Sequence, residues 1–233
     1  MSSAAVVWAM AAIGGDEAEP PLAADPTPTA STAAGLCPWA AEDVSSNPYL
    51  TDVGMPPEVH EELTGTRTMT IATNHGEISV EVDAAAAPCA TTSFTYLAEN
   101  EFFDGSPCHR LVTEGIYVLQ CGDPTGTGMG GPAYRYPEEN LPDSDSPNYP
   151  KGTVAMANTG QPASTGSQFF IVYEDTTLPA EYTIIGTVTE GMEIVEEIAA
   201  GGAVNPQSGE TVTDGEPEIE VTIETLRISD PAA

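Results

Sequence analysis

Positive charge is what this sequence most conspicuously lacks. Its 233 residues include one lysine, Lys151, and five basic residues in all, against 36 acids. The formal net charge is -31. No basic footprint exists to neutralise phosphates, which excludes a nucleic-acid binder of the usual kind. The same deficit argues against an anionic membrane surface as a partner. A surface this acidic repels itself in dilute buffer and is eased by screening, so a halophilic or salt-tolerant source is expected. Long apolar runs are missing too. Ala4 to Gly14 is uncharged and apolar but too short to span a bilayer. No Lys or Arg precedes Arg67, so the charged start of a signal peptide is absent. Two readings of this start stay open: a disordered or cleaved beginning, or the remnant of an export segment. A lipoprotein signal is weaker, because bulky Leu36 directly precedes Cys37.

Several kinds of chemistry are missing as well. There is no G-x-S-x-G, no P-loop and no H-E-x-x-H. No C-x-x-C pair occurs, which disfavours structural zinc. The three histidines are scattered: His60 in a polar segment, His75 in an expected turn, and His109.

What is present divides the chain into four parts. Residues 1–15 are the apolar start. Residues 16–36 form a Pro/Ala/Thr-rich acidic linker that cannot bury enough surface to fold. Residues 37–66 add Trp39, Tyr49, Leu50 and Val53 and read as an extended arm lying on a domain. Residues 67–229 make that domain. Arg67 to Thr73 and Gly76 to Val82 alternate around Asn74-His75, which predicts a β-hairpin. Pro88 to Asn100 predicts a helix with Phe94, Tyr96 and Leu97 near one face. Strands are expected at Cys108–Val112, Tyr117–Cys121, Thr153–Ala157, Gln168–Tyr173, Thr183–Thr189 and Ile219–Ile228. A second helix should run from about Met192 to Ala200 and stop at Gly201-Gly202. Many short strands with two helices point to a mainly β barrel or sandwich.

Cysteines lie at positions 37, 89, 108 and 121. An even count behind an export-like front suggests two disulfides, with three possible connectivities. Cys108 and Cys121 fall on successive predicted antiparallel strands and could face each other, leaving Cys37 to tie the arm to Cys89. Four buried thiols are the alternative. The location expected from this is extracytoplasmic, secreted or membrane-anchored, with the cytoplasm as the fallback.

The central blocks resemble a known family. Phe102-Phe-Asp-Gly-Ser-Pro-Cys-His-Arg-Leu and Val118-Leu-Gln-Cys-Gly-Asp-Pro-Thr-Gly-Thr-Gly are followed by Gly152-Thr-Val-Ala-Met-Ala-Asn, Thr165-Gly-Ser-Gln-Phe-Phe-Ile and Tyr182-Thr-Ile-Ile-Gly-Thr-Val. In this order and spacing, from about Met69 to Ile228, they resemble the cyclophilin peptidyl-prolyl isomerases. The secreted or anchored actinobacterial members are the most similar. The resemblance implies a closed eight-stranded antiparallel barrel capped by two helices. It implies catalysed cis/trans rotation of X-Pro bonds, assisting the folding of exported proteins, or a slow proline-peptide binding module on the same scaffold. Neither needs a metal, a nucleotide or another cofactor. The implied partners are proline-containing polypeptides, and the implied state is a monomer.

By the same resemblance Arg110 is the catalytic arginine, Gln120 orients it, and Phe170 is the floor of the proline pocket. An arginine in a purely structural ion pair is the competing reading of Arg110. Tyr117, Val118 and Leu178 match apolar walls. Ala157, Asn158 and Gln168 match backbone-binding positions, and Tyr182 a rim position where many members have histidine. Phe169 should face the opposite side of its strand and sit in the core. Two extra residues between Arg110 and Gln120 require a bulge at Gly115. Thr177 stands where cyclosporin-sensitive members have tryptophan, so weak cyclosporin binding is expected.

Overall fold

The computed structural model describes residues 35–230. The apolar start and nearly all of the linker expected from the sequence lie outside them. Short-range alternation makes the first hairpin. Thr66–Thr73 pairs antiparallel with Gly76–Asp83 across Asn74-His75. Met69 and Ile71 on one strand, and Ile78, Val80 and Val82 on the other, all turn inward. Helix α1, Pro88–Glu99, begins at a proline, where no intrahelical N–H is required. It buries Phe94 and Leu97. Tyr96 differs from the expectation, being only half-buried and donating its hydroxyl to the Val53 carbonyl of the arm. Helix α2, Met192–Gly201, stops at Gly202, whose N–H returns to the Ala199 carbonyl.

One antiparallel sheet organises the domain. Its order runs Asp214–Pro217, Arg110–Val112, Val118–Cys121, Phe169–Val172, Thr153–Met156, Ile184–Glu190, Gly76–Asp83, Thr66–Thr73, Thr222–Ile228 and Ser106–Pro107. Two short strands, Ala203–Val204 and Thr211–Val212, extend it beyond Asp214–Pro217. The fold is mainly β with two helices. Asp214–Pro217 was not anticipated: the sequence there is acidic and carries no alternating apolar pattern.

Side chains divide across the sheet. Phe169 meets Phe94 and Phe103 at ring-centroid distances of 5.6 and 6.4 Å in the main core. Phe170, its neighbour in sequence, joins a smaller cluster with Val112, Val118, Tyr149, Ala155 and Val172. The arm is tied down at several points. Cys37 pairs with Cys89 on α1, and Cys108 pairs with Cys121. The Trp39 ring stands edge-on to Tyr134 and Tyr136, and Leu50–Thr51 pairs in parallel with Gly131–Pro132. Closing loops of 52 and 13 residues restricts the unfolded chain by roughly 4 and 3 kcal/mol in the loop-entropy model. No helix among the described residues is long and apolar enough to cross a membrane.

Candidate active site

The smaller cluster opens to solvent as a cavity of about 130 Å³. Phe170 and Val118 are buried at its base, while Leu178 and Tyr182 form walls. The Tyr182 ring stands edge-on to Phe170 at 5.6 Å. Asn148 fixes Leu178 by accepting its N–H at 3.0 Å and donating to its carbonyl at 2.7 Å. The result is an apolar cup of side-chain size.

Arg110 lies on the lip of this cup with Gln120, Ala157 and Asn158. Every nitrogen of its guanidinium is engaged. Nε donates to Asp214 Oδ1 and Nη2 to Asp214 Oδ2, each at 2.7 Å, and Nη1 donates to Gln120 Oε1 at 3.2 Å. The fork-on-fork geometry fixes the plane of the group. One N–H on each terminal nitrogen stays free to donate elsewhere. Asp214 beside it raises the Arg110 pKa, and Arg110 holds the Asp214 carboxyl below its usual range. Both side chains are 39 and 51% exposed, so the pair adds at most about 1 kcal/mol to stability. Its consequence is orientation.

The relay continues inward. Gln120 Nε2 donates to Gln168 Oε1 at 2.8 Å, and Gln168 Nε2 donates to the Gly128 and Gly130 carbonyls at 3.0 Å. Those carbonyls cannot donate, so the direction of both amides is set. The loop that presents them folds around buried Asp123. It accepts from the Thr125 N–H at 2.8 Å, the Thr125 hydroxyl at 2.7 Å and the Gly130 N–H at 3.0 Å. Burial pushes the Asp123 carboxyl up, but the Thr125 and Gly130 hydrogen bonds prevail and leave it below its usual range. Ala157 and Asn158 lie where the Thr153–Met156 strand ends. The Ala157 N–H donates to the Gln168 carbonyl at 2.9 Å, and Asn158 Nδ2 donates to the Glu181 carbonyl at 2.8 Å.

Of the residues singled out in the sequence, Arg110, Val118, Gln120, Ala157, Asn158, Phe170, Leu178 and Tyr182 converge on the cup. Gln168 lines the adjoining cavity and reaches the cup through Gln120. Tyr117 does not line it. Its ring meets Tyr173 at 5.9 Å, its N–H donates to the Thr176 hydroxyl, and Ile116 takes the expected place. Strand alternation explains this: Ile116, Val118 and Gln120 share a face that Tyr117 cannot. The chain gains the necessary turn at Gly115, whose φ of 79° suits glycine. Tyr117 lines a separate, larger cavity of about 700 Å³ that also holds Lys151, Glu174 and Glu196 and lacks Arg110 and Phe170. Asp214, which holds Arg110, is not legible in the sequence. One carboxylate among 36 acids carries no signal until a strand sets it beside Arg110.

The site is thus an apolar cup with a fixed guanidinium at its lip. The profile of the family described as "Cyclophilin type peptidyl-prolyl cis-trans isomerase/CLD" matches residues 68–228, and the chain belongs to that family. A protein named "Probable peptidyl-prolyl cis-trans isomerase B" from Mycobacterium leprae is 44% identical over 174 residues, covering 70% of this chain and 57% of the relative. The Mycobacterium tuberculosis protein of the same name, from strain CDC 1551, is 42% identical over 170 residues, covering 68% and 53%. The chain thus spans little more than half the length of these relatives. The crystal structure of a cyclophilin-type peptidyl-prolyl cis-trans isomerase from Cryptosporidium parvum aligns over 72% of this chain and 99% of its own, with TM-score 0.55 and 28% identity. A second structure of that protein was determined in the presence of the dipeptide Ala-Pro, and aligns with TM-score 0.54.

Proposed function

We propose that this domain is a peptidyl-prolyl cis-trans isomerase acting on extended, proline-containing polypeptides. The observation that carries the reading is the Arg110 guanidinium, held by Asp214 and Gln120 at the lip of the Phe170 cup. Rotation about an X-Pro bond is opposed by amide resonance, with a barrier of ~18–20 kcal/mol. Unaided, it takes on the order of tens to hundreds of seconds. The proline ring packs on Phe170 between Val118 and Leu178. The free N–H groups of Arg110 donate toward the prolyl nitrogen, whose lone pair leaves conjugation as the bond twists. Because the group is fixed beforehand, it favours the twisted amide over both planar forms. Gln120 holds Arg110, while Ala157, Asn158 and Gln168 border the path of the peptide main chain. No bond is made or broken.

The reading extends to architecture and setting. The stretch Ser106 to Val112 bonds Thr222–Ile228 with its first half and Val118–Cys121 with its second. This supports a closed eight-stranded barrel in which one bent strand serves both edges. The two disulfides support an extracytoplasmic location and a role in folding exported proteins. Thr177, exposed where an indole would be needed, supports weak cyclosporin binding. We take the domain to act as a monomer.

A second reading, a slow binder of proline peptides, has one observation in its favour: the Asp214 carboxylate offsets the charge of Arg110. Measuring cis-to-trans exchange of an Ala-Pro peptide by NMR separates the two, in low and in molar salt. Acceleration that disappears in Arg110→Ala supports the isomerase. Binding without acceleration in either salt selects the binder.

A further inference from the structure

The cup is one end of a longer groove. Through Gln120, Ala157 and Asn158 it joins the adjoining cavity of about 190 Å³. That cavity shares Gly128, Gly130, Arg135, Thr159, Ser164 and Gln168 with a third, of about 460 Å³. The far wall of the third cavity comes from the arm: Glu42, Ser46, Asn47, Tyr49 and Leu50. The arm is seated firmly there. Glu42 pairs with Arg135 Nη2 at 3.0 Å, and Asn47 Nδ2 donates to the Met129 carbonyl at 3.2 Å. It lies beside the groove and leaves the cup open.

The third cavity has a mixed lining, in which Tyr49, Leu50 and Met129 supply the large apolar side chains among Glu42, Asn47, Arg135 and Gln168. Among the described residues, six large apolar side chains stand out as exposed. Val44, Tyr49 and Met55 are on the arm, Leu36 directly precedes it, and Met129 is on the facing loop. Tyr49 and Met129, 36 and 53% exposed, line the same cavity. Tyr49 from the arm and Met129 from the loop thus present two exposed apolar side chains to one cavity, at the outer end of the groove.

We propose that the arm forms an additional subsite, which takes an apolar side chain from one flank of the client, several residues from the proline. This rests on the isomerase reading of the cup. Continuity favours a polypeptide occupant: a chain leaving the cup along Ala157 and Asn158 enters the second cavity, which adjoins this one through Thr159, Ser164 and Gln168. The arm therefore selects clients by the sequence around the proline, beyond the X-Pro pair itself.

The test uses the full chain and three peptides: Ala-Ala-Pro-Ala, and the same core extended by four leucine-containing residues at either end. In the wild type, one extension lowers KM about fivefold relative to the core, equivalent to ~1 kcal/mol. The same extended peptide shifts the Met129 methyl resonance, and the core peptide does not. In Tyr49→Ser/Met129→Ser the ratio of the two KM values falls to about one. The proposal is overturned if neither extension lowers KM, if Met129 stays unmoved at saturation, or if the ratio survives the double variant. A Met129 shift produced by protein concentration alone would assign the surface to a second copy of the chain and also overturn it. Failure of the isomerase reading shows separately, as a core peptide whose exchange is not accelerated. The methyl titration still reads the subsite in that case.

Discussion

Phe169 and Phe170 adjoin in sequence and occupy two very different places. Phe169 closes a core with Phe94 and Phe103 in which each ring meets the other two. Phe170 has Tyr149 and Tyr182 on two sides and an open cavity on another. A closed cluster converts its whole surface into stability. An open one keeps part of that surface in reserve for a ligand. The largest predicted effect tests this directly. Phe169→Ala should cost about 3–5 kcal/mol in denaturant unfolding, the usual range for a buried phenylalanine with its cavity. Phe170→Ala should cost clearly less, yet raise KM for proline peptides strongly. Equal stability losses would break the distinction.

Arg110→Ala should follow in size. Removing a fixed donor from a reacting centre costs on the order of a hundredfold in rate. It should leave the unfolding midpoint almost unmoved, because the ion pair is half-exposed. Asp214 sharpens the point. Asp214→Ala frees the guanidinium to swing, and a fall in kcat of about tenfold is expected, corresponding to ~1.4 kcal/mol. Asp214→Asn keeps an oxygen acceptor and should restore part of that loss. Loss of kcat with KM held separates a positioning residue from a binding one. A variant with kcat above wild type would show instead that the Asp214 charge holds catalysis back.

The same two regions show what the sequence makes legible. The closed side is written in local pattern. Met69, Ile71, Ile78, Val80 and Val82 alternate around a turn dipeptide, and both helices carry their stop or start residues. Most cup residues were legible by resemblance, since Arg110, Gln120 and Phe170 sit within ordered blocks. Where the reading failed, the cause was register or distance. The resemblance places Tyr117 at the cup, yet Val118 and Gln120, one and three residues on, already occupy that face. Asp214 comes from 104 residues away on a strand with no apolar alternation, and only the pairing of Asp214 with Val112 brings it to Arg110. Local periodicity cannot encode a contact of that separation.

The smallest effect concerns the residue before Arg110. Arg110 turns outward and stays charged, whereas His109 turns inward beside buried Asp123. Burial lowers the His109 pKa below its ordinary 6.5; Asp123 and the nearby Gln168 amide oppose this, while Arg110 adds to it. Both ring nitrogens are buried without a hydrogen-bond partner among the described residues. The unfolded chain therefore takes up a proton at a higher pH than the folded one. Stability is fully present above 6.5 and is lost as pH falls from there toward the lower folded value. Urea midpoints measured on both sides of 6.5 should show that decline in the wild type, and a weaker one in His109→Gln. An identical decline in both would mean that the inward face titrates through other groups, and that the contrast between neighbours 109 and 110 lies in packing alone.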